Sequence, residues 1–241
     1  MAADPLHGKK VVIVGGTSGI GFAVAEAALD RGARIVVASS QQAGVEAALD
    51  RLGKGAEGST VNVNDEGDVA GFFERLGGFD HLVFTAGDWG AMRGGSSLAE
   101  LDLSAAKAAF GVRFWGALAV VKHGYGKIGE GGSITLTDGA LAHRPMKGAP
   151  VNTAMLGAIE HLTRALAVDL APVRVNAVCP GLVMTERSSA MPEAVLQRFI
   201  GRLPLPRGAD PAEVAEAYLY LMRGGYTTGQ VLRVDGGGSI V

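Results

Sequence analysis

The chain has 241 residues, a formal net charge of -2, 48% hydrophobic and 19% charged residues, which is enough apolar material to bury a substantial core. No block of like charges runs through it, so the composition excludes a nucleic-acid footprint or an anionic-membrane surface and points to a small-molecule partner. No apolar signal region opens the chain and no stretch approaches about 18 consecutive apolar residues, so a soluble, cytoplasmic protein with no membrane partner is expected.

Strand-length apolar runs are expected at 10–14, 34–38, 59–63, 80–85, 132–137, 173–178 and 230–234, with amphipathic helical stretches between them. Such alternation needs crossover connections. It therefore predicts an α/β fold, one doubly wound Rossmann-type domain with a seven-stranded, mainly parallel sheet covered by helices on both faces.

The first strand, Val11-Val-Ile-Val14, runs straight into Gly15-Gly-Thr-Ser-Gly-Ile-Gly21 and then a helix. This is the arrangement that holds a dinucleotide pyrophosphate. Gly15 permits the tight turn, Gly19 lets the backbone approach the phosphates, and Gly21 lets the helix pack on the strand. Thr17, Ser18 and Ile20 offer hydroxyls or backbone N–H groups to the anion at the positive end of the helix. Ala23 to Arg31 continues that helix up to Gly32.

The second strand ends in Ser39, followed by Ser40, Gln41 and Gln42. An acidic residue there would bind a ribose 2′-hydroxyl and repel a 2′-phosphate, so its absence favours NADP(H) over NAD(H). No arginine stands there to pair with the phosphate. The two hydroxyls could bind it or cap the following helix.

Further along, Phe114 to Val121 is apolar nearly all round its helix, which implies burial on more than one side. Cys179, the single cysteine, lies between Val178 and Pro180 and reads as a small buried hydrophobe. The segment 185–210 breaks the alternation and reads as a substrate lid. No metal-ligand cluster stands at characteristic spacing.

Four motifs in order carry a resemblance over the whole chain: the glycine turn from Gly15 to Gly21; Phe84-Thr85-Ala86-Gly87; Arg174-Val175-Asn176-Ala177-Val178 followed by Pro180-Gly181; and Asp235-Gly236-Gly237. With them the chain resembles the classical short-chain dehydrogenase/reductase family. Val14 replaces the Thr that opens the family's glycine signature, and Phe84-Thr85 replaces Asn-Asn. The resemblance implies that Asn62 and Val63 flank the adenine, Ala86 and Gly87 the adenosine ribose, and Pro180, Gly181, Val183 and Thr185 the nicotinamide end. It also implies a homodimer or homotetramer.

In that family an Asn, a Ser, a Tyr and a Lys reduce a carbonyl, the Tyr as proton donor and the Lys lowering its pKa. Anchored on Leu162-Thr163-Arg164, the Tyr position falls on Asn152 and the Lys position on Leu156. The Ser position falls on Asp138 or Gly139, and the Asn position on Arg113. Tyr125, Tyr218, Tyr220 and Tyr226 are the chain's tyrosines, and none has a lysine four residues later.

The chain thus reads as an atypical member without the tetrad. Loss of a positioned acid forfeits about 10²–10⁴ in rate, so ordinary ketones should be poor substrates. Two readings stay open. One is an oxidoreductase passing hydride from NADPH to a reactive carbonyl or quinone-like molecule. Arg113 would stabilise developing negative charge, Asp138 would partner it or relay protons, and His143 would be the spare proton donor. Arg113 and Asp138 could equally form a space-filling salt bridge. The other reading is a catalytically inactive nucleotide sensor or assembly protein.

Overall fold

The computed structural model describes residues 4–87 and 98–241. Seven strands, β1 (Lys10–Val14), β2 (Arg34–Ser39), β3 (Ala56–Thr60), β4 (Phe79–Phe84), β5 (Ile128–Thr137), β6 (Arg174–Pro180) and β7 (Val231–Val234), form one sheet in the order β3-β2-β1-β4-β5-β6-β7. Every adjacent pair is parallel. The chain builds outward from β1 to β3 and then returns to place β4 on the other side of β1. The direction of winding therefore reverses between β1 and β4, and a crevice opens at the carboxyl ends of the strands there.

The two faces of the sheet follow from strand alternation. Val11 and Ile13 point into one core layer, with Phe22, Val24 and Ala25 of α1 (Gly19–Leu29) and Tyr218 and Leu219 of α9 (Pro211–Arg223). Val12 and Val14 point into the other. There they meet Phe72 and Phe73 of α3 (Glu66–Leu76), Val120 and Val121 of α5 (Ala117–Gly124) and Ile159 of α6 (Pro150–Asp169). The remaining helices are α2 (Gln42–Leu52), α4 (Leu103–Phe110), α7 (Glu186–Ser189) and α8 (Glu193–Ile200).

The third strand lies three residues earlier than the sequence predicted. Val61 and Val63, which suggested a strand at 59–63, are buried residues that follow it. The strand itself is an edge strand whose residues are at most half-buried, so it carries little apolar signal. The fifth strand starts at Ile128 rather than 132, where a shift in register against β4 lets the glycine-rich stretch pair.

Between α4 and α5 the helix opens into a π-turn, Gly111–Gly116. The whole run Leu103–Lys127 is long and apolar enough by composition alone to cross a membrane, although Lys107, Arg113 and Lys122 interrupt it, so that it holds no 18 consecutive apolar residues. Ala117, Val120 and Val121, however, lie in the core beside the sheet. Burial is one-sided, because Trp115 is 61% exposed, and the all-round burial expected for 114–121 is not met within this chain.

The Arg174-Val175-Asn176 motif holds the frame. The Arg174 guanidinium donates to the carbonyls of Leu221 and Met222 at 2.6 and 2.8 Å, capping the carboxyl end of α9. Asn176 donates to the Thr227 carbonyl and accepts from the Gln230 amide.

Candidate active site

The β1–α1 turn forms the floor of the crevice. Gly15 has φ +91°, and a Cβ there would run into the backbone of Ala86. A Cβ on Gly21 would collide with the Gly15 carbonyl and the Thr85 hydroxyl. The turn is thus a backbone surface with no room for side chains, which suits a pyrophosphate laid against helix N–H groups. Ser18 is the N-cap of α1, yet its side chain makes no capping bond.

The other expected cofactor residues stand along the same edge. Ser39 ends β2 and Ser40 follows it. Gln41, rather than either serine, is the N-cap of α2. Asn62 and Val63 follow β3. The Asn62 amide donates to Asp68 at 2.7 Å, and Val63 packs beneath Gly116 of the π-turn. Ala86 and Gly87 leave β4, with the Ala86 amide bonded to the Val14 carbonyl. Pro180 ends β6 and Gly181 bonds to the Val234 carbonyl.

Val183 pairs with Ala209, so the excursion 185–210 leaves and returns at one point. Within it, Thr185 caps α7 in a reciprocal box with Ser188, and Leu196 of α8 is buried.

Arg113 is carried inward on the π-turn, 5% exposed. Its guanidinium lies against Gly87, where a Cβ would collide with it. Arg187 of α7 also reaches the Gly87 carbonyl, at 3.5 Å. Among the described residues Arg113 and Asp138 form no ion pair, so the space-filling salt bridge is not present.

Asp138 follows β5 directly, and the strand end is held firmly. Thr137 donates to the Phe84 carbonyl at 2.6 Å and meets the Tyr218 hydroxyl at 2.7 Å. The Asp138 amide donates to the Val178 carbonyl. Its side chain is buried, and no donor reaches either carboxyl oxygen in hydrogen-bonding geometry. Close by are the Glu160 carboxyl of α6, the Cys179 thiol of β6 and the His143 imidazole. One ligating atom from each of the four groups lies within 4.8 Å of the others. Burial, then the neighbouring Glu160, pushes the Asp138 carboxyl up to about 8. Burial, then Asp138, pushes the Cys179 thiol up, which leaves it a neutral thiol.

The sequence singled out Asp138 and His143 but not Glu160, and it found no clustered ligating groups. Glu160 was legible only as the third member of the helix face Asn152, Leu156, Glu160, spaced by one turn. A lone Glu on a helix ordinarily faces water. Cys179 is buried as expected, but beside polar groups rather than hydrocarbon alone.

The family model described as Enoyl-(Acyl carrier protein) reductase matches residues 14–239. A short-chain dehydrogenase/reductase of Acremonium, ucsE, is 37% identical over 99% of this chain and 98% of its own. The chain belongs to the short-chain dehydrogenase/reductase family. Among solved structures of similar proteins, the MalC reductase/Diels-Alderase of Malbranchea aurantiaca superposes with a TM-score of 0.89 at 33% identity, covering 98% of this chain and 97% of its own. A small-chain dehydrogenase in complex with NADPH gives 0.79 at 33% identity, covering 97% and 100%. As a short-chain dehydrogenase/reductase, the chain is an oxidoreductase with a nicotinamide-cofactor fold.

Within that frame Asn152 lies in the first turn of α6 and Leu156 one turn on. Leu156 is buried against Gly139, the residue after Asp138.

Proposed function

We propose that this short-chain dehydrogenase/reductase reduces a reactive carbonyl or quinone-like small molecule with NADPH, without the family's Tyr and Lys. Asn152 and Leu156 take those two positions, and neither can supply a proton or an ammonium group. The observation that carries the reading is Asp138, a buried carboxyl at the end of β5 beside Glu160, which burial pushes up to about 8. A carboxylic acid held neutral by an apolar site can donate where a carboxylate could not.

The side-chain-free turn around Gly15 and Gly21 fits the pyrophosphate. NADPH, when bound, supplies the hydride. Ser39 and Ser40, with no acid at the end of β2, accommodate its 2′-phosphate. Arg113, over Gly87, offers positive charge to the oxygen that gains electron density, and Asp138 gives that oxygen its proton. The exposed apolar flank at Trp115 supports self-association through the α4–α5 run.

The test begins with nucleotide-stripped protein titrated with NADPH and NADH by bound-cofactor fluorescence. An acceptor panel of quinones, dicarbonyls and plain ketones follows. Preferred NADPH binding and turnover confined to reactive acceptors, lost in Arg113→Ala, is expected. Binding without turnover across the panel would instead make the chain a nucleotide sensor.

A further inference from the structure

Asp138 is 1% exposed. An acid that gives up a proton in every turnover must regain one, and while the reduced product still covers a carboxyl this buried, the side chains beside it are its route to solvent. Two titratable side chains, each more exposed than Asp138, stand beside it. Glu160 is 6% exposed, on the inward face of α6. His143 follows the short helical turn after β5, and its side chain is 18% exposed. Nε2 of His143 lies 2.5 Å from Oε1 of Glu160.

Asp138 Oδ1 and Oδ2, His143 Nε2 and Glu160 Oε1 are all buried without a hydrogen-bond partner. Converging unpartnered acceptors are costly unless protons or a cation lie among them. A zinc ion holding oxygen and nitrogen at about 2.0–2.2 Å would keep tetrahedral neighbours roughly 3.3 Å apart. His143 and Glu160 are closer than that, a separation suited to a shared proton.

We propose that Glu160 and His143 form a proton path that reloads Asp138 from solvent, a role that rests on Asp138 being the acid of the reaction above. As the acceptor takes hydride, the Asp138 O–H bond breaks and an O–H bond forms on the acceptor. The Asp138 carboxylate then takes a proton that passes through Glu160. Glu160 takes that proton from His143, and His143 takes one from water. No reductant beyond the hydride donor is needed. The groups facing this path are Cys179 from β6, Arg164 one turn along α6, which donates to Glu160 Oε2 at 3.3 Å, and Asp235 after β7, which acts on Cys179.

The experiment compares wild type, Glu160→Gln, His143→Asn and Asp138→Asn. The first readout needs neither cofactor nor acceptor. Stopped-flow infrared spectroscopy follows hydrogen–deuterium exchange of the Asp138 carboxyl after mixing with D2O, with its C=O band assigned by its loss in Asp138→Asn. Exchange is expected to slow at least about tenfold in Glu160→Gln and in His143→Asn, and added imidazole should restore it in the latter. The second readout sets single-turnover hydride transfer beside steady-state kcat. In His143→Asn the first turnover should be unchanged within about twofold while kcat falls about tenfold or more.

Unchanged exchange in both path variants overturns the proposal, as does an equal fall in first turnover and kcat. Stoichiometric zinc binding to wild type that is lost in Glu160→Gln would assign the cluster to a metal instead. An Asp138→Asn protein with a normal first turnover would sink Asp138 as the acid, whatever the exchange data show about the path.

Discussion

Leu156 packs against Gly139, so hydrocarbon closes over the backbone beside Asp138 at the position one helical turn beyond Asn152. A lysine there would have to bury its ammonium group or displace the packing around it. Placing a tyrosine and a lysine four residues apart here with Asn152→Tyr and Leu156→Lys is therefore expected to cost about 3 kcal/mol of stability. It should yield no ketone reduction. Urea denaturation and a ketone assay check both outcomes, and efficient ketone reduction by the double variant would show that the pocket still fits an ordinary carbonyl substrate.

Asp138 ties stability to pH in a definite direction. Its carboxyl is raised from 3.8 to about 8 in the folded chain, so the folded state holds a proton that the unfolded state releases. The resulting stability is complete below the unfolded value and is lost as pH rises through the folded one. Asp138→Asn removes this dependence. The melting temperature of the variant relative to wild type should therefore climb by several degrees between about pH 5 and pH 8. A gap that stays constant across that range would contradict the raised titration.

His81 works in the opposite sense. Its Nδ1 lies 2.9 Å from Ser133 Oγ between β4 and β5, and burial pulls the imidazole down from 6.5 to about 4. The unfolded chain binds a proton that the folded one refuses, so this contribution is whole above pH 6.5 and is lost as pH falls toward 4. Wild type should lose about 3 kcal/mol across that window relative to His81→Gln. Denaturation midpoints of both proteins at several pH values measure the difference.

Ser39 closes β2, the position to which the proposed binding mode assigns the adenosine ribose of a dinucleotide. Ser39→Asp would place a carboxylate against a 2′-phosphate and offer an acceptor to a 2′-hydroxyl. NADPH affinity is expected to fall at least about tenfold and NADH affinity to hold or rise. Fluorescence titration with both cofactors reads this out, and unchanged NADPH binding would move the phosphate contact elsewhere.

The sheet was legible in the sequence because β1 shows its buried character locally: four consecutive apolar residues, then glycines whose spacing serves one kind of turn. The displaced third strand shows the limit of the same signal, since Val61 and Val63 report burial and not strand pairing. At the site, Arg113 and Asp138 could be singled out because the family resemblance drew attention to their positions. Glu160 could not, because its significance depends on α6 lying against the end of β5. That contact joins residues 22 positions apart and leaves no mark at short range.

The π-turn at Gly111–Gly116 reaches beyond the arginine it carries. One additional residue in a helical turn advances everything after it by about 100° around the axis. Arg113 facing inward and Val120 and Val121 facing the sheet are thus two results of one insertion. Deleting a residue from the turn would restore regular winding, but it would also rotate α5 and carry Lys122 toward the position now held by Val121. Reshaping the mouth of the crevice at this point is therefore inseparable from re-indexing the helix that supports it.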